Sequence, residues 1–436
     1  MLLTEYRLDL VIQALRNTLK MEHPADAVLR HFFQAERIGS NERSLVAETL
    51  FGVLRHRLLL EYACTLDKGQ ATARRMALSY WIRFGGYNLR ELEPLLKAKE
   101  AEWLGKVKAI AADGLPLSIQ AELPEWIVDK LRARHSDVEI LELGRSMQQP
   151  APLDLRVNTL LANRNEVLQA LQAEGLDAQA TPWSPVGIRL KYKPALNKHA
   201  LFLTGKFEVQ DEGSQMLGLL LAPKRNDMVV DFCAGAGGKT LMLGAMMNSQ
   251  GRLYAWDVSE KRLTNLKPRL KRSGLSNVQP QLIAHENDSK VKRLAGKIDR
   301  VLVDAPCSGL GTLRRNPDLK FRQSPQSVAE LNVKQAAILD SAARLLKQGG
   351  RLVYATCSLL HEENQAIVEA FLATHPDFAL LPAGDVLRQQ HIELAMGDYL
   401  QLNPQQHNTD GFFAAVLERK AGPGGAHEHE TIKSVE

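Results

Sequence analysis

From residue 1 to about residue 140, apolar side chains recur at three- and four-residue steps, and Gly and Pro are sparse. Strand-like alternation is absent from this stretch, so the pattern predicts amphipathic helices packed as a small bundle. In SLVAETLFGVLRHRLLLEYA, Leu45, Leu50, Val53 and Leu54 fall on a common face. The character changes at Gln148-Gln149-Pro150-Ala151-Pro152. LDLRVNTL then reads as a strand, and Asn163 with Glu166 as an N-cap and its reciprocal partner. The helix EVLQALQAEG follows, with short strands around Ala178 and in IRLKY, giving a compact βαβ-type module over 150–204. From 205 onward the apolar runs MVVDF, RLYAWD, VQPQLIA, RVLVDAP and RLVYATCS alternate with helical segments. That alternation predicts a parallel sheet covered on both faces. The stretch 421–436, AGPGGAHEHETIKSVE, has too few apolar residues to pack and is expected to be disordered.

Composition narrows the class without naming a function. A chain of 436 residues, 45% hydrophobic and 24% charged, fits a globular protein of roughly three domains. The net charge of +5 permits a nucleic-acid partner but does not demand one. None of the four cysteines, Cys64, Cys233, Cys307 and Cys357, forms a C-x-x-C pair, so no structural metal is expected. The N-terminal MLLTEYRLDLVIQALRN carries Glu5 and Asp9 among its apolar residues, which suits a helix and not a signal peptide. No apolar stretch approaches the ~18 residues of a membrane span. The expectation is a cytoplasmic protein with reduced thiols.

DFCAGAGGKT, residues 231–240, follows the apolar run Met228-Val229-Val230. It reads as a strand entering a glycine-rich turn that opens a helix. As a triphosphate loop, G-x-x-x-x-G-K-[ST], it ends correctly at Gly238-Lys239-Thr240, but Cys233 stands where the first glycine belongs. As the dinucleotide fingerprint G-x-G-x-x-G, it has Gly235 and Gly237 but Thr240 in the third place. A nucleoside-type cofactor such as S-adenosylmethionine needs close backbone approach and an acid ending the next strand, for the ribose hydroxyls. Asp257 ends RLYAWD, and Asp288 follows the third strand, where it is expected to meet the adenine edge. The plainer reading of Asp257 is a helix N-cap.

Two further strands end in a cysteine. VLVDAPCSG places Asp304, Pro306 and Cys307 past one strand, and RLVYATCS places Thr356 and Cys357 past another. Carboxyl ends of strands in an open parallel sheet form the rim where ligands bind, so these residues are expected to share it with the glycine loop. Cys64, within a helical stretch, reads instead as a small buried hydrophobe. A methyl-donor site has a use for a thiol. Carbon 5 of a pyrimidine is a poor nucleophile until a thiolate adds at carbon 6, after which it is enamine-like. Asp304 is the acid expected to hold the cytosine edge, and a base must later remove the position-5 proton.

DFCAGAGGKT, VLVDAPCSGLGTLRRNPDLK, YATCSLLHEEN and TDGFF together resemble the RNA 5-methylcytosine methyltransferases of the Sun/RsmB type. The resemblance covers about 150–420, and LRVNT and KFEVQDEGSQ are similar to that family's preamble. ERSLVAETLFGVLRHR resembles the NusB-like RNA-binding domain of some members. The fold implied is a Rossmann-like class I methyltransferase domain with a mostly parallel α/β sheet over 205–420. A small α+β, RRM-like module (150–204) and an all-α NusB-like domain (1–140) precede it. The resemblance implies Cys357 as nucleophile and Cys307 as an aid to product release. It implies cofactor contacts from Cys233, Ala234, Gly235, Ala236, Gly237, Gly238, Lys239, Asp257, Asp288 and Asp304. Where the family commonly has C-A-A-P-G-G-K-T, this chain has Gly235 and Ala236 in the A-P places.

The implied activity is S-adenosylmethionine-dependent methylation of an RNA cytosine; a monomer is expected. Ribosomal RNA is the expected substrate, with transfer RNA as the alternative. KRLTNLKPRLKR (261–272) contains six basic residues and no acid, a pattern that equally suits a solvated helix face. Lys290, Lys292 and Arg293 lie further on. Arg314, Arg315, Lys320 and Arg322 follow Cys307 and are expected to overhang the rim and contact phosphates. Two rival readings remain: a phosphate-loop ATPase, and an RNA-binding assembly factor with an inactive methyltransferase fold.

Overall fold

In a computed structural model of the chain, residues 2–421 are described, so most of the tail expected to be disordered lies outside the described residues. They form two compact units, one of 2–151, 308–329 and 403–408, the other of the remaining described residues.

The first unit is helical. Its helices include Glu5–Thr18, Ala25–Ala35, Ser40–Arg55, Arg57–Thr65 and Ala73–Arg83. Leu45, Leu50, Val53 and Leu54 are all buried, as the periodicity predicts. Trp81 and Trp103 are buried beside them, with indole N–H groups donating to Thr49 Oγ1 and to the Ala63 carbonyl. A buried indole without such an acceptor would be costly. Cys64 is fully buried, and burial pushes its thiol up to about 11.

The second unit begins with β1 (Leu153–Val157), β2 (Ala178–Ala180), β3 (Gly187–Leu190) and β4 (Phe207–Val209), in the order β2-β3-β1-β4 with every neighbour antiparallel. Helices Arg164–Ala173 and Ala200–Leu203 complete a β-α-β-β-α-β arrangement. The Asn163 cap is as expected: its side chain accepts from Glu166 N at 3.0 Å, while Glu166 reaches back to Asn163 N. The strands linked by the first helix are parallel but not adjacent, because β3 lies between them.

The second sheet contains β5 (Met228–Asp231), β6 (Arg252–Asp257), β7 (Val278–Leu282), β8 (Ile298–Asp304), β9 (Leu346–Thr356), β10 (Phe378–Leu381), β11 (Tyr399–Leu402) and β12 (Phe412–Arg419). Among the described residues its order is β10-β12-β9-β8-β5-β6-β7, with β11 also paired to β12. The pairings among β5 to β9 are parallel, while β12 runs antiparallel to β9, β10 and β11. Strand order reverses between β5 and β8. In such sheets ligands bind beyond the carboxyl ends of the strands at that point, and there the glycine loop and Asp304 lie. None of the described helices is long and apolar enough to cross a membrane.

Candidate active site

The glycine loop leaves β5 and turns into the helix Gly238–Met246. Gly235 (φ +58°) and Gly237 (φ +83°) both occupy the left-handed region, which costs a residue with a Cβ energy. Gly237 is fixed twice over, since a Cβ there would come within 2.1 Å of Leu266. A Cβ at Gly235 would meet nothing within 4 Å, because that position faces open space.

That space is a cavity of about 760 Å³, lined by the loop from Cys233 to Lys239 except Gly237, and by Asp231, Asp257, Glu286, Asp304, Cys307, Lys334 and Cys357. Residues far apart in sequence thus meet on one rim. Asp257 does more than cap: Oδ2 accepts the Gly235 N–H at 2.8 Å and Oδ1 the Ser259 N–H at 2.7 Å. Ser259 is the N-cap of the following helix, Glu260–Ser273. Each Asp257 oxygen retains a lone pair for a further donor. Asp304 Oδ2 accepts from Lys239 Nζ at 2.6 Å. Burial works against the lysine charge, yet the adjacent carboxylate holds its pKa above the usual range.

The two rim cysteines face one another, with Sγ atoms 3.4 Å apart. The hydrogen bond to Cys357, together with burial, pushes the Cys307 thiol well above its ordinary range. Burial does the same to Cys233, which therefore keeps its proton. Two buried side chains join the cysteine loops. Gln335 Nε2 donates to the Pro306 carbonyl at 2.9 Å and to Glu363 Oε1 at 3.0 Å, and Glu363 also accepts from the Ser358 hydroxyl. Tyr354 Oη donates to the Glu363 carbonyl at 2.7 Å. Sequence reasoning included Glu363 within SLLHEEN but assigned it no role, and it missed Gln335.

Two expectations need correction. Asp288 does not line the cavity. Its carboxylate accepts from Ala284 N and Lys290 N at the start of a short helix, so both oxygens serve the backbone. Glu286 and Ile283 line the cavity instead. The cluster after Cys307 also differs from expectation, because 308–329 packs within the helical unit. Lys320 is buried there, donating to the Arg55 carbonyl at 2.9 Å and the Glu122 carbonyl at 2.7 Å, with the Glu122 carboxylate 3.5 Å away. Arg314 is buried and donates to Asn408 Oδ1, while Arg322 pairs with Asp318. Arg315 is half-buried. A buried cation needs these acceptors to offset lost hydration, which leaves Lys320 and Arg314 engaged inside the protein.

The cavity suits a nucleoside cofactor with a cationic end. Asp231 is buried on the cavity wall, where Oδ2 accepts from Thr240 Oγ1 at 2.7 Å and Oδ1 has no hydrogen-bond partner among the described residues. Burial pushes its carboxyl up to about 7. An ammonium group reaching that orphaned oxygen would satisfy it. Sequence reasoning treated Asp231 only as the end of a strand. Its signal was an acid at the last position of an otherwise apolar run.

The family described as 16S rRNA methyltransferase RsmB/F matches residues 218–418, and an RsmF/B-like ferredoxin-like domain matches 123–197. A protein of Synechocystis sp. named "Probable ribosomal RNA small subunit methyltransferase B" is 31% identical, over 94% of this chain and 99% of its own length. The solved structure of PH0851 superposes with a TM-score of 0.78 at 26% identity, covering 96% of this chain and 99% of that one. NSun6 from Pyrococcus horikoshii, solved with SFG, is similar in fold, with a TM-score of 0.61 at 21% identity over 69% of this chain and 99% of that one. Identity at that level along nearly the whole chain, with the loop, acids and cysteines gathered on one rim, makes this chain a member of the RsmB/F family of RNA methyltransferases.

Proposed function

We propose that the enzyme methylates carbon 5 of a cytosine in ribosomal RNA, with Cys357 as nucleophile and Cys307 assisting product release. The observation that carries this reading is the pair of sulfurs 3.4 Å apart, in the cavity that also holds the glycine loop. The relatives' names favour the small-subunit ribosomal RNA.

S-adenosylmethionine is the cofactor, and when bound it supplies an electrophilic methyl group on a sulfonium. Residues 233–239, Asp257 and Asp304 are its proposed contacts, with Glu286 in place of Asp288 and Asp231 for the ammonium. On the RNA side, Cys357 adds as thiolate to carbon 6 of the cytosine, and carbon 5 becomes nucleophilic. Asp304, held by Lys239, is the proposed partner of the cytosine edge. Cys307 is the weaker candidate for attack, since its hydrogen bond to Cys357 and its burial keep it protonated. It has a proton to return to the Cys357 sulfur as the carbon–sulfur bond breaks, while solvent water takes the position-5 proton and the carbon 5–carbon 6 double bond re-forms. The target base must be unstacked to reach these groups.

The N-terminal helical unit is the proposed RNA-binding part. A second cavity of about 760 Å³ there, between Glu5–Thr18 and Ala25–Ala35, is lined by Arg16, Lys20, His23 and His31. These four side chains are exposed.

The test incubates labelled S-adenosylmethionine with unmodified ribosomal and transfer RNA fractions, followed by nucleoside analysis. Label is expected in 5-methylcytosine of the small-subunit RNA and absent with Cys357→Ala. Cys307→Ala is expected to accumulate a protein–RNA adduct that survives denaturation. If Cys357→Ala accumulates it instead, the two thiol roles are reversed. Label confined to transfer RNA would replace the substrate, and ATP hydrolysis without label would overturn the reading.

A further inference from the structure

The glycine loop presents a mechanical problem. It contains three glycines and lacks the proline at 236 that the resembling loops carry, so its intrinsic freedom is high. Two guanidinium groups answer it. Arg269, from the helix Glu260–Ser273, donates from Nη1 to the Ala236 carbonyl at 2.7 Å. Arg156, from β1, donates from Nη1 to the Gly238 carbonyl at 2.5 Å and also to Gln210 Oε1. Both hydrogen-bond acceptors of Arg156 are neutral although it is only 3% exposed, and the nearby Glu208 charge opposes the cost of its burial. A cation buried on neutral acceptors is an expensive arrangement, and one of the two acceptors belongs to the loop.

The small module supplies the rest of the brace. Glu208 of β4, itself 6% exposed, accepts from Arg269 Nε and Nη2 at 3.2 and 2.9 Å, and from Arg272. Gln210 follows the same strand. So β1 and β4 hold one guanidinium directly and orient the other.

We propose that Arg156 and Arg269 are positioning residues that fix the cofactor loop by gripping its 236 and 238 carbonyls. On this view the four-stranded module is a structural part of the cofactor site, doing for this loop what proline does in the resembling ones. Gripping the 236 and 238 carbonyls fixes the peptide planes of a loop whose residues line the cavity. The inference rests on reading that cavity as the cofactor's.

The experiment compares wild type, Arg156→Met, Arg269→Met, and each variant with Ala236→Pro added. Amide hydrogen exchange over 232–241 in the cofactor-free protein and S-adenosylhomocysteine affinity by calorimetry are the readouts, with thermal melting alongside. Each single variant is expected to exchange faster in the loop and to bind about tenfold more weakly, the size of one charge-assisted hydrogen bond. Adding Ala236→Pro is expected to recover both. Unchanged exchange and affinity in the single variants would overturn the inference. So would a loss that follows lowered melting and is not recovered by the proline. Wild type that fails to bind S-adenosylhomocysteine would instead overturn the reading of the cavity itself.

Discussion

Asp231 carries a pH dependence that follows from one buried oxygen. Its folded-state pKa of about 7 lies above the ordinary 3.8 because burial disfavours the charged form. A carboxyl raised on folding contributes stability that is full below about pH 4 and is lost as pH rises through about 7. Asp231→Asn is therefore expected to raise the melting temperature of the cofactor-free protein by a margin that grows between pH 4 and pH 8. A margin constant over that range would show that ionisation of Asp231 is not the cause. Cofactor affinity is expected to fall in the same variant, since the neutral amide loses the charge opposite an ammonium. At this scale, legibility varied by residue. Asp257 is legible as the acid that ends the strand after the loop, and the cysteines by their place after strands. Asp231, Glu286 and Lys334 were missed, because each joins the site through burial or orientation, which a linear pattern does not report. Asp288 failed for the converse reason: an acid in the right interval was taken up by backbone N–H groups.

Among the elements, the segment 308–329 departs most from expectation. Its positive charges read as an RNA-facing cluster, yet Lys320 lies inside the helical unit against Glu122. Burial pulls the lysine pKa down and the glutamate pKa up, while each opposes the other's shift through its charge. Glu122 is held further by the Leu58 and Leu59 N–H groups at 3.0 Å each. Removing the lysine alone strands a buried carboxylate, and Lys320→Met is expected to cost about 3–5 kcal/mol in urea unfolding. Adding Glu122→Gln is expected to recover part of that loss. Equal stability of Lys320→Met and wild type would show the pair to be energetically idle. The sequence shows a lysine's charge, but whether that charge is solvated depends on contacts hundreds of positions away. The capping box at Asn163 was legible because both partners lie within three residues.

For the molecule as a whole, a soluble substrate this large requires a phosphate-binding surface besides the pocket. Arg16 and Lys20 lie on the cavity of the helical unit, and the double variant Arg16→Glu/Lys20→Glu is expected to weaken RNA binding. The slope of log affinity against log salt should shrink by about 1 to 2, as loss of two phosphate contacts requires. An unchanged slope would place the RNA elsewhere. The order of elements, the helical start, the change near Pro150 and the parallel run from β5 to β9 were all set by local periodicity and turn residues, which act over a few positions. The same local rules placed the glycine loop and both cysteines at strand ends. Tertiary structure alone decided that β12 returns antiparallel beside β9, that 308–329 packs with the helices, and that Cys307 and Cys357 meet at 3.4 Å. Those outcomes depend on pairing and burial between segments far apart along the chain. The pattern of apolar and polar residues states what each segment must hide, not which other segment will cover it.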